Sequence, residues 1–203
     1  MKKTSRFATA IRQQEIVKSA RKIITTAGVE SLTIRAMATD LKLTEGALYR
    51  HFKSKKDIID LLIVDISKTL LKAIDDAADK ENDPLMQLRN ILAAHLSYAE
   101  QRKGITFVVI NEALNLKDKY LQKKMSEVID KYLKKIRSIL CDGVVTGVFR
   151  KDMNAATASV IFFGMVQSTV TLWALGGYGN SLDKGHLDEI FDIYKKGIMK
   201  RPT

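Results

Sequence analysis

The amino-acid sequence predicts an all-α protein, with an N-terminal three-helix helix-turn-helix domain followed by a larger helical domain. Apolar residues recur at three- and four-residue spacing in one segment after another, which is the pattern of amphipathic helices. The chain of 203 residues has 2 Pro and 11 Gly, most of which lie between these segments. Hydrophobic residues make up 46% and charged residues 28% of the chain, as in a folded soluble protein. We place the domain boundary between residues 53 and 54, so that the domains cover 1–53 and 54–203.

The positive charge of the chain is concentrated in its first quarter. The net charge is +11 at neutral pH, yet residues 1–56 alone contain 13 Lys and Arg against 4 Asp and Glu. The remaining residues contain 21 basic and 19 acidic side chains. Such an asymmetry predicts a polyanion-binding head on a nearly neutral body. Charge alone does not distinguish nucleic acid from an anionic membrane surface as the partner.

Residue types that would indicate other chemistry are sparse or scattered. The sequence has one cysteine, Cys141, which excludes an internal disulfide and suits a reducing cytosol. The basic N-terminus MKKTSRFATAIRQQ lacks the apolar core of a secretory signal, so we expect a cytoplasmic protein. His51, His95 and His186 lie far apart and form no metal-binding pattern. With no P-loop, nucleophile elbow or Rossmann glycine motif, the sequence predicts no enzyme activity, no cofactor and no metal.

The head itself has the spacing of a helix-turn-helix motif. A first helix is expected to end at Gly28, a natural C-cap, and Thr33 is placed to cap the second helix. Lys42 and Leu43 alone separate that helix from Thr44, the natural cap of the third. Two short helices joined by so tight a turn are typical of helix-turn-helix proteins. The apolar positions expected to pack the first two helices are Ile16, Val17, Ala20, Ile23, Ile24, Ala27, Ile34, Met37, Ala38 and Leu41.

The third helix, residues 44–52, has two faces of different character. Leu48 and Phe52 are four residues apart and share the inward face. The opposite face carries Gly46, Ala47 and Arg50, flanked by Tyr49 and His51. Small residues allow a backbone to approach another surface closely, and an arginine offers a planar fork of hydrogen-bond donors. This face is therefore predicted to contact a partner, although Tyr49 could instead belong to the core.

Helical spacing continues through the second domain. Ser54 and Asp57 form a capping box that opens a long helix, and Asp83-Pro84 ends that helix and starts the next. Later helices are expected at about 105–116, 120–148, 155–175 and 186–199, with 176–185 as a loop. In the helix at 120–148, the inward positions are Leu121, Met125, Val128, Ile129, Leu133, Ile136 and Leu140.

Residues 155–175 contain no charged side chain, and their length reaches the roughly 18–20 residues that cross a membrane. Gln167, Ser168, Thr169 and Thr171 interrupt the apolar run and no second span is present, so a membrane-spanning role is disfavoured. We expect this helix to be buried nearly all round. One chain would have to cover it on every side, whereas pairing with a second copy across a two-fold axis would form a four-helix bundle.

The segment SLTIRAMATDLKLTEGALYRHFKSKKDIIDLL, residues 31–62, resembles the DNA-binding segment of the TetR family of bacterial transcriptional regulators. GALYRHF followed by KSK is its most specific part, and the resemblance covers roughly residues 10–62. It implies a DNA-binding domain of three helices, followed by a domain that forms a homodimer through the last two helices and holds a small effector. Lys42 stands where the family usually has Gly; a positive φ there would cost roughly 1 kcal/mol, which the fold can tolerate, and the lysine could instead add a phosphate contact.

The resemblance also implies which side chains face double-stranded DNA. They are Thr33, Arg35, Thr44, Gly46, Ala47, Tyr49, Arg50, His51 and Lys55. Arg50 is suited to reading guanine O6 and N7 in the major groove, or alternatively to clamping a phosphate. Ala47 is suited to a thymine methyl group, and Tyr49, His51 and Lys55 to phosphates. Two recognition helices one DNA turn apart in a dimer would require a near-palindromic operator.

The candidates for an effector pocket in the second domain are residues that are also suited to core packing. They are His95, Tyr98, Phe107, Met125, Cys141 and Trp173. Few polar groups stand among the apolar residues, which favours a small hydrophobic or aromatic effector. We therefore expect a cytoplasmic, ligand-responsive repressor. The alternatives are a DNA-bound scaffold that recruits a protein partner without an effector, and a membrane-associated helical protein.

Overall fold

The computed structural model describes residues 2–179, 181–182 and 186–200, with the backbone alone described for 2–11 and 186. Within these ranges the chain forms helices and no strand, which confirms the all-α class, and an isolated antiparallel bridge joins Phe149 to Met199. The helices are α1 (Lys2–Ala27), α2 (Ile34–Leu41), α3 (Glu45–Tyr49), α4 (Lys55–Ala78), α5 (Pro84–Gln101), α6 (Ile105–Asn115), α7 (Lys119–Val145), α8 (Ala155–Leu175) and α9 (His186–Ile198), with a 3₁₀ turn at Val29–Ser31. Residues 180 and 183–185 of the predicted loop lie outside the described residues.

The chain divides into two compact units. One comprises residues 1–66 with 108–125, and the other comprises 67–107 with 126–203. The first unit thus holds α1, α2, α3 and the beginning of α4, and it extends past the boundary that we placed at residues 53 and 54. That boundary stays a prediction.

Gly28 and Lys42 end the first two helices as predicted. Both have positive φ, 82° at Gly28 and 55° at Lys42. Beyond Lys42, the amide of Leu43 donates to the carbonyl of Ala38 at 2.9 Å, which closes the turn between α2 and α3. A lysine in this conformation costs roughly 1 kcal/mol, and the tight turn forms nevertheless.

The core of the first unit uses the predicted apolar positions. The buried side chains at these positions are Ile16, Val17, Ala20, Ile23, Ile24, Ile34, Met37 and Ala38, together with Leu48 and Phe52. Two positions differ from the prediction, because Ala27 is exposed and Leu41 is half-buried. Each is the last residue of its helix, where packing against the neighbouring helix ends.

Aromatic side chains tie the helices of the second unit together. Tyr194 of α9 donates a hydrogen bond to the carbonyl of Ala158 in α8 at 3.0 Å, and its ring meets Phe162 edge-on with the centroids 5.4 Å apart. On α7, Tyr132 is fully buried, whereas the predicted inward residue, Leu133, is half-buried. The sequence pattern missed Tyr132 because its burial depends on a hydrogen-bond partner from another helix.

α8 is not buried nearly all round, so that prediction is wrong for the single chain. Its buried residues are Ala158, Ser159, Phe162, Val166 and Val170, and its exposed large apolar residues are Val160, Ile161, Leu172 and Leu175. Buried residues make up 28% of its most apolar stretch, because α5 and α9 leave the remainder uncovered. By length and composition α8 could cross a membrane, and no other helix among the described residues meets both criteria.

Candidate nucleic-acid interface

The outward face of α3 is exposed, and its inward face is buried. Leu48 is 1% exposed, whereas Tyr49 is 52% exposed. The remaining outward residues are accessible as well, because Gly46, Arg50 and His51 are exposed and Ala47 is half-buried. The structure thus confirms the predicted sidedness of this helix and excludes a core role for Tyr49.

Gly46 leaves open space in front of α3. A Cβ atom built at this position would meet no heavy atom of the described residues within 4 Å, apart from its chain neighbours and its own helix backbone. Packing inside the protein therefore does not require glycine here. The missing side chain instead lets the surface of a partner approach the backbone of α3.

Thr33 and Thr44 start α2 and α3 through side-chain caps, as predicted. Thr33 Oγ1 accepts a hydrogen bond from the amide of Ala36 at 3.0 Å, and Thr44 Oγ1 accepts one from the amide of Ala47 at 3.2 Å. Both threonines are exposed, and so is Arg35 in the first turn of α2. Each hydroxyl accepts one hydrogen bond and keeps its own proton, so a contact with a phosphate can come from the hydroxyl or from the free backbone amides of the first turn.

Arg50 and His51 border a shallow groove that reaches α1. The groove has a volume of about 220 Å³, and its other lining residues are Arg12, Ile16, Leu43, Ala47 and Leu48. Arg12 forms an ion pair with Glu15 of the same helix at 2.9 Å. The groove therefore brings a basic residue of α1 beside α3. Sequence reasoning did not assign Arg12 to the site, although the basic excess of the first quarter pointed to this part of the chain.

Lys55 lies in different surroundings from the other candidate DNA contacts. Its ammonium group is 2.8 Å from Oε1 of Glu112 in α6, and the Lys55 side chain is 24% exposed. Sequence reasoning missed Glu112, which lies far along the chain. The available signal was an acidic residue within the apolar segment ITFVVINEALN.

His95 and Tyr98 lie in the core of the second unit. His95 Nδ1 is 3.1 Å from Tyr132 Oη, and burial lowers the pKa of His95 to about 4, so its ring is neutral at pH 7. Tyr98 Oη is 2.9 Å from Thr69 Oγ1, and the guanidinium of Arg102 lies 4.4 Å from the centroid of the Tyr98 ring. Both candidates have internal partners, which an effector would have to replace or extend.

The other four effector candidates occupy varied surroundings. Trp173 packs edge-on against Tyr178, with the ring centroids 4.7 Å apart, and lines a groove of about 310 Å³. Phe107 is half-buried, and Met125 is buried in the first unit. Cys141 is exposed on α7, which makes it a poor lining residue. The pocket assignment stays a prediction, and no three His, Cys, Asp or Glu side chains are grouped as metal ligands in the part of the chain that the structure describes.

The fold and the exposed face of α3 define a helix-turn-helix DNA-binding protein. Residues 16–62 match the family described as bacterial regulatory proteins of the tetR family, and residues 66–194 match the C-terminal region of the YsiA-like proteins. The two matches together span most of the chain. The chain belongs to the TetR family of bacterial transcriptional regulators, and it is a DNA-binding regulator of that family.

Curated relatives include the nucleoid occlusion factor SlmA from two bacteria. The Idiomarina loihiensis protein is 32% identical over 129 residues, which are 64% of this chain and 66% of that protein. The Vibrio vulnificus protein is 29% identical over 130 residues, with the same two shares. The match thus spans just under two thirds of the length of these relatives. The matching family is described as one of regulatory proteins, and the relatives are named as nucleoid occlusion factors.

Solved structures share the fold over nearly the whole chain. The ketosteroid transcriptional regulator KstR2 of Mycobacterium tuberculosis has a TM-score of 0.76 at 22% identity, over 94% of this chain and 96% of its own. The transcriptional regulator FadR from Bacillus subtilis, in complex with stearoyl-CoA, has a TM-score of 0.78 at 20% identity, over 91% and 98%. The TetR-family regulator PfmR from Thermus thermophilus has a TM-score of 0.77 at 24% identity, over 91% and 99%.

Proposed function

We propose that the protein is a cytoplasmic homodimeric repressor, which binds a near-palindromic operator and leaves it when a small hydrophobic or aromatic effector binds. The observation that carries the proposal is the two-sided character of α3. Its apolar side is fixed in the core, and its small and cationic side chains are exposed. A helix of this kind fits the major groove of a DNA duplex.

The outward residues divide into base-reading and positioning groups. Arg50 would read guanine O6 and N7, and Ala47 would meet a thymine methyl group. Phosphates fix the register of the protein on DNA without reading sequence, and we assign them to the polar residues around these two. The proposed phosphate contacts are Thr33, Arg35, Thr44, Tyr49 and His51, with Gly46 allowing close approach.

The uncovered apolar side of α8 supports dimer formation. Val160, Ile161, Leu172 and Leu175 are exposed large apolar residues on α8, and Ile193 is one on α9. Exposed apolar side chains at such density on two neighbouring helices are typical of a protein interface. We propose that α8 and α9 pair with their copies as a four-helix bundle. Such a dimer has two-fold symmetry and carries two copies of α3, so its operator would have two-fold symmetry as well.

An apolar effector is supported by the composition of the second unit and by its fold. Its few buried polar groups include His95, which is neutral and hydrogen-bonded to Tyr132. A regulator of the same fold, FadR from Bacillus subtilis, binds stearoyl-CoA, an apolar chain with a polar head. We propose that His95 and Tyr98 supply polar contacts in a pocket of the second unit, with Phe107 and Trp173 as candidate lining residues.

The relatives favour a second candidate function. SlmA proteins carry the name of nucleoid occlusion factors, which describes an activity other than ligand-controlled transcription. In this alternative the chain is a DNA-bound scaffold that recruits a protein partner and needs no effector.

Electrophoretic mobility shifts on the DNA upstream of the chain's own gene test the proposal. We expect a sequence-preferring complex that weakens with salt, because phosphate contacts release counterions. Mass spectrometry of molecules that copurify with the native protein supplies effector candidates, which should dissociate the complex when added back. A stable complex that no copurified molecule dissociates would favour the scaffold, and a protein that binds every duplex equally would contradict both functions.

A further inference from the structure

We propose that Lys55 acts through Glu112 and not directly on DNA, because Lys55 forms an ion pair with this buried carboxylate and thereby positions the recognition helix α3. Lys55 is thereby a positioning residue, and Glu112 becomes a second one. The inference rests on the proposed function, since it concerns how the same DNA-binding face is held in place. Both residues lie in the first compact unit.

Among the described residues, Lys55 is the close cation of the Glu112 carboxylate. Lys55 Nζ is 2.8 Å from Glu112 Oε1, and the Glu112 side chain is 5% exposed. Val109 and Ala113 beside Glu112 on α6 are buried as well, so an unpaired charge on Glu112 would be poorly hydrated. Glu30 also approaches Lys55, but its carboxylate is 3.8 Å away and 91% exposed, and such a pair contributes little.

Lys55 could stay with Glu112 or move to a phosphate, and the cost of leaving Glu112 can be compared with the gain from a phosphate contact. If Lys55 moved away from Glu112 to a phosphate, Glu112 would become an unpaired buried carboxylate, which disfavours that arrangement on the order of 100- to 1,000-fold. One released counterion changes the affinity for DNA only about fivefold between 1 M and 0.15 M salt. The internal ion pair therefore prevails, and Lys55 stays on Glu112 in the DNA complex.

The link from Lys55 to the recognition helix is short and capped. Lys55 is the first residue of α4. The carboxylate of Asp57 caps the short connection between α3 and α4. Asp57 Oδ2 accepts hydrogen bonds from the amides of Lys53 at 2.6 Å and Ser54 at 3.2 Å. On the other side of this connection, Phe52 is buried in the core. A displacement of Lys55 would therefore also displace α3, because the connection between them is short and hydrogen-bonded.

Two more ion pairs hold the same part of α4, but they are more exposed. Lys56 Nζ is 2.6 Å from Asp118, and Lys124 pairs with Asp60. Lys56 also holds the pKa of the Asp118 carboxyl below its usual value through their hydrogen bond. The ring of Tyr120 is close to both lysines, with its centroid 5.8 Å from Lys56 Nζ and 5.3 Å from Lys124 Nζ. These contacts reinforce the site, and the pair of Lys55 with the buried Glu112 is its anchor.

The test replaces the ion pair by apolar residues in the full chain. The variants are Lys55→Met, Glu112→Leu and the double variant, because a well-packed apolar pair can substitute for a buried ion pair. Lys53→Met is the matched control, since Lys53 is a neighbouring exposed lysine. Circular dichroism during urea unfolding measures stability. Fluorescence anisotropy with a labelled duplex of the upstream DNA measures affinity between about 50 and 300 mM salt, on protein shown to be folded.

We expect folded Lys55→Met to bind roughly tenfold more weakly or worse, as when a base contact is misplaced. The DNA affinity of the double variant should lie within about threefold of that of the wild type, and the slope of log affinity against log salt should be unchanged. A slope flatter by about 0.9 in the double variant would show a lost phosphate contact and overturn the proposal. Normal affinity of folded Lys55→Met would overturn it too, because the pair would then serve stability alone.

Two further outcomes keep the test decisive. If Lys55→Met does not fold, recovery of both folding and DNA affinity in the double variant supports the pair, and an unfolded or non-binding double variant contradicts it. If the wild type binds no duplex, the proposed function fails, whereas the unfolding measurements still judge the ion pair. In that case non-additive losses in the two single variants support the pair, and additive losses reject it. Lys53→Met should leave stability unchanged throughout.

Discussion

At the scale of single residues, Arg50 and Lys55 carry the same charge in different surroundings. The Arg50 guanidinium is exposed beside the small residues of α3, where it can meet a base edge or a phosphate. The Lys55 ammonium is turned to Glu112. The sequence segment GALYRHFKSKK contains both and gives no sign of the difference, because the carboxylate that distinguishes them comes from α6.

Arg50→Ala should relax the preference for one base pair in each half of the operator. The expected loss is about 1–3 kcal/mol at that position, because the arginine fork would no longer match guanine O6 and N7. Anisotropy titrations measure this loss by comparing the operator with duplexes in which single base pairs are replaced. Lys53→Ala, at an exposed neighbour, is the control and should leave the preference intact. Equal weakening on all duplexes by Arg50→Ala would mean that Arg50 clamps the backbone.

His95 should make the protein less stable as the pH falls below 7. Burial lowers the pKa of His95 to about 4 in the folded chain, whereas an unfolded histidine titrates near 6.5. Between these values the unfolded chain binds a proton that the folded chain does not, so acid favours unfolding. The contribution is about 2 kcal/mol between pH 7 and pH 5. Urea unfolding at both pH values measures it, and His95→Gln should remove this part of the pH dependence. An unchanged pH dependence in His95→Gln would show that other groups cause it.

At the scale of elements, the helix ends and the turn were predictable, and the tertiary contacts were not. The caps at Thr33 and Thr44 and the positive φ at Lys42 each involve residues within a few positions of one another. A sequence pattern therefore contains all the information that decides them. The burial of Tyr132, by contrast, depends on His95, and the sequence does not say which helices will be neighbours.

Gly46→Ala should separate stability from DNA binding. An alanine in a helix is favoured over glycine by roughly 0.5–1 kcal/mol, and no described atom outside α3 lies within 4 Å of the new methyl group. The free energy of unfolding should therefore stay the same or rise. Binding should weaken roughly tenfold, because a methyl group forced into a packed interface costs about 1–3 kcal/mol. Unfolding and anisotropy measurements on one preparation test both, and unimpaired binding would place Gly46 away from DNA.

At the scale of the whole molecule, the exposed apolar residues of α8 are not covered by any part of the single chain that the structure describes. The lack of charge in α8 predicted burial on nearly every side, and that prediction was wrong because α5 and α9 cover one side. How much of a helix is covered depends on how many copies of the chain assemble, which periodicity does not contain. The dimer is therefore a proposal that depends on the exposed residues and not on the sequence pattern alone.

Charged residues on the uncovered side of α8 should break the dimer. Leu172→Asp with Leu175→Asp removes two exposed apolar side chains, each of which contributes about 1.5–3 kcal/mol when buried. We expect the association to weaken by at least about 3 kcal/mol and operator affinity to fall with it. Analytical ultracentrifugation measures the association. Leu114→Asp, at an exposed leucine of α6, is the control and should remain dimeric. A dimeric double variant would place the interface elsewhere.

Methylation interference on the operator tests most directly whether α3 enters the major groove. Dimethyl sulfate methylates guanine N7 in the major groove and adenine N3 in the minor groove, so the two kinds of contact are separable. We expect interference by methylated guanines in two clusters related by a two-fold axis, with centres about 10–10.5 base pairs apart. Arg50→Ala should abolish the effect of one guanine in each cluster. Interference confined to adenines, or none within a salt-sensitive specific complex, would contradict the account.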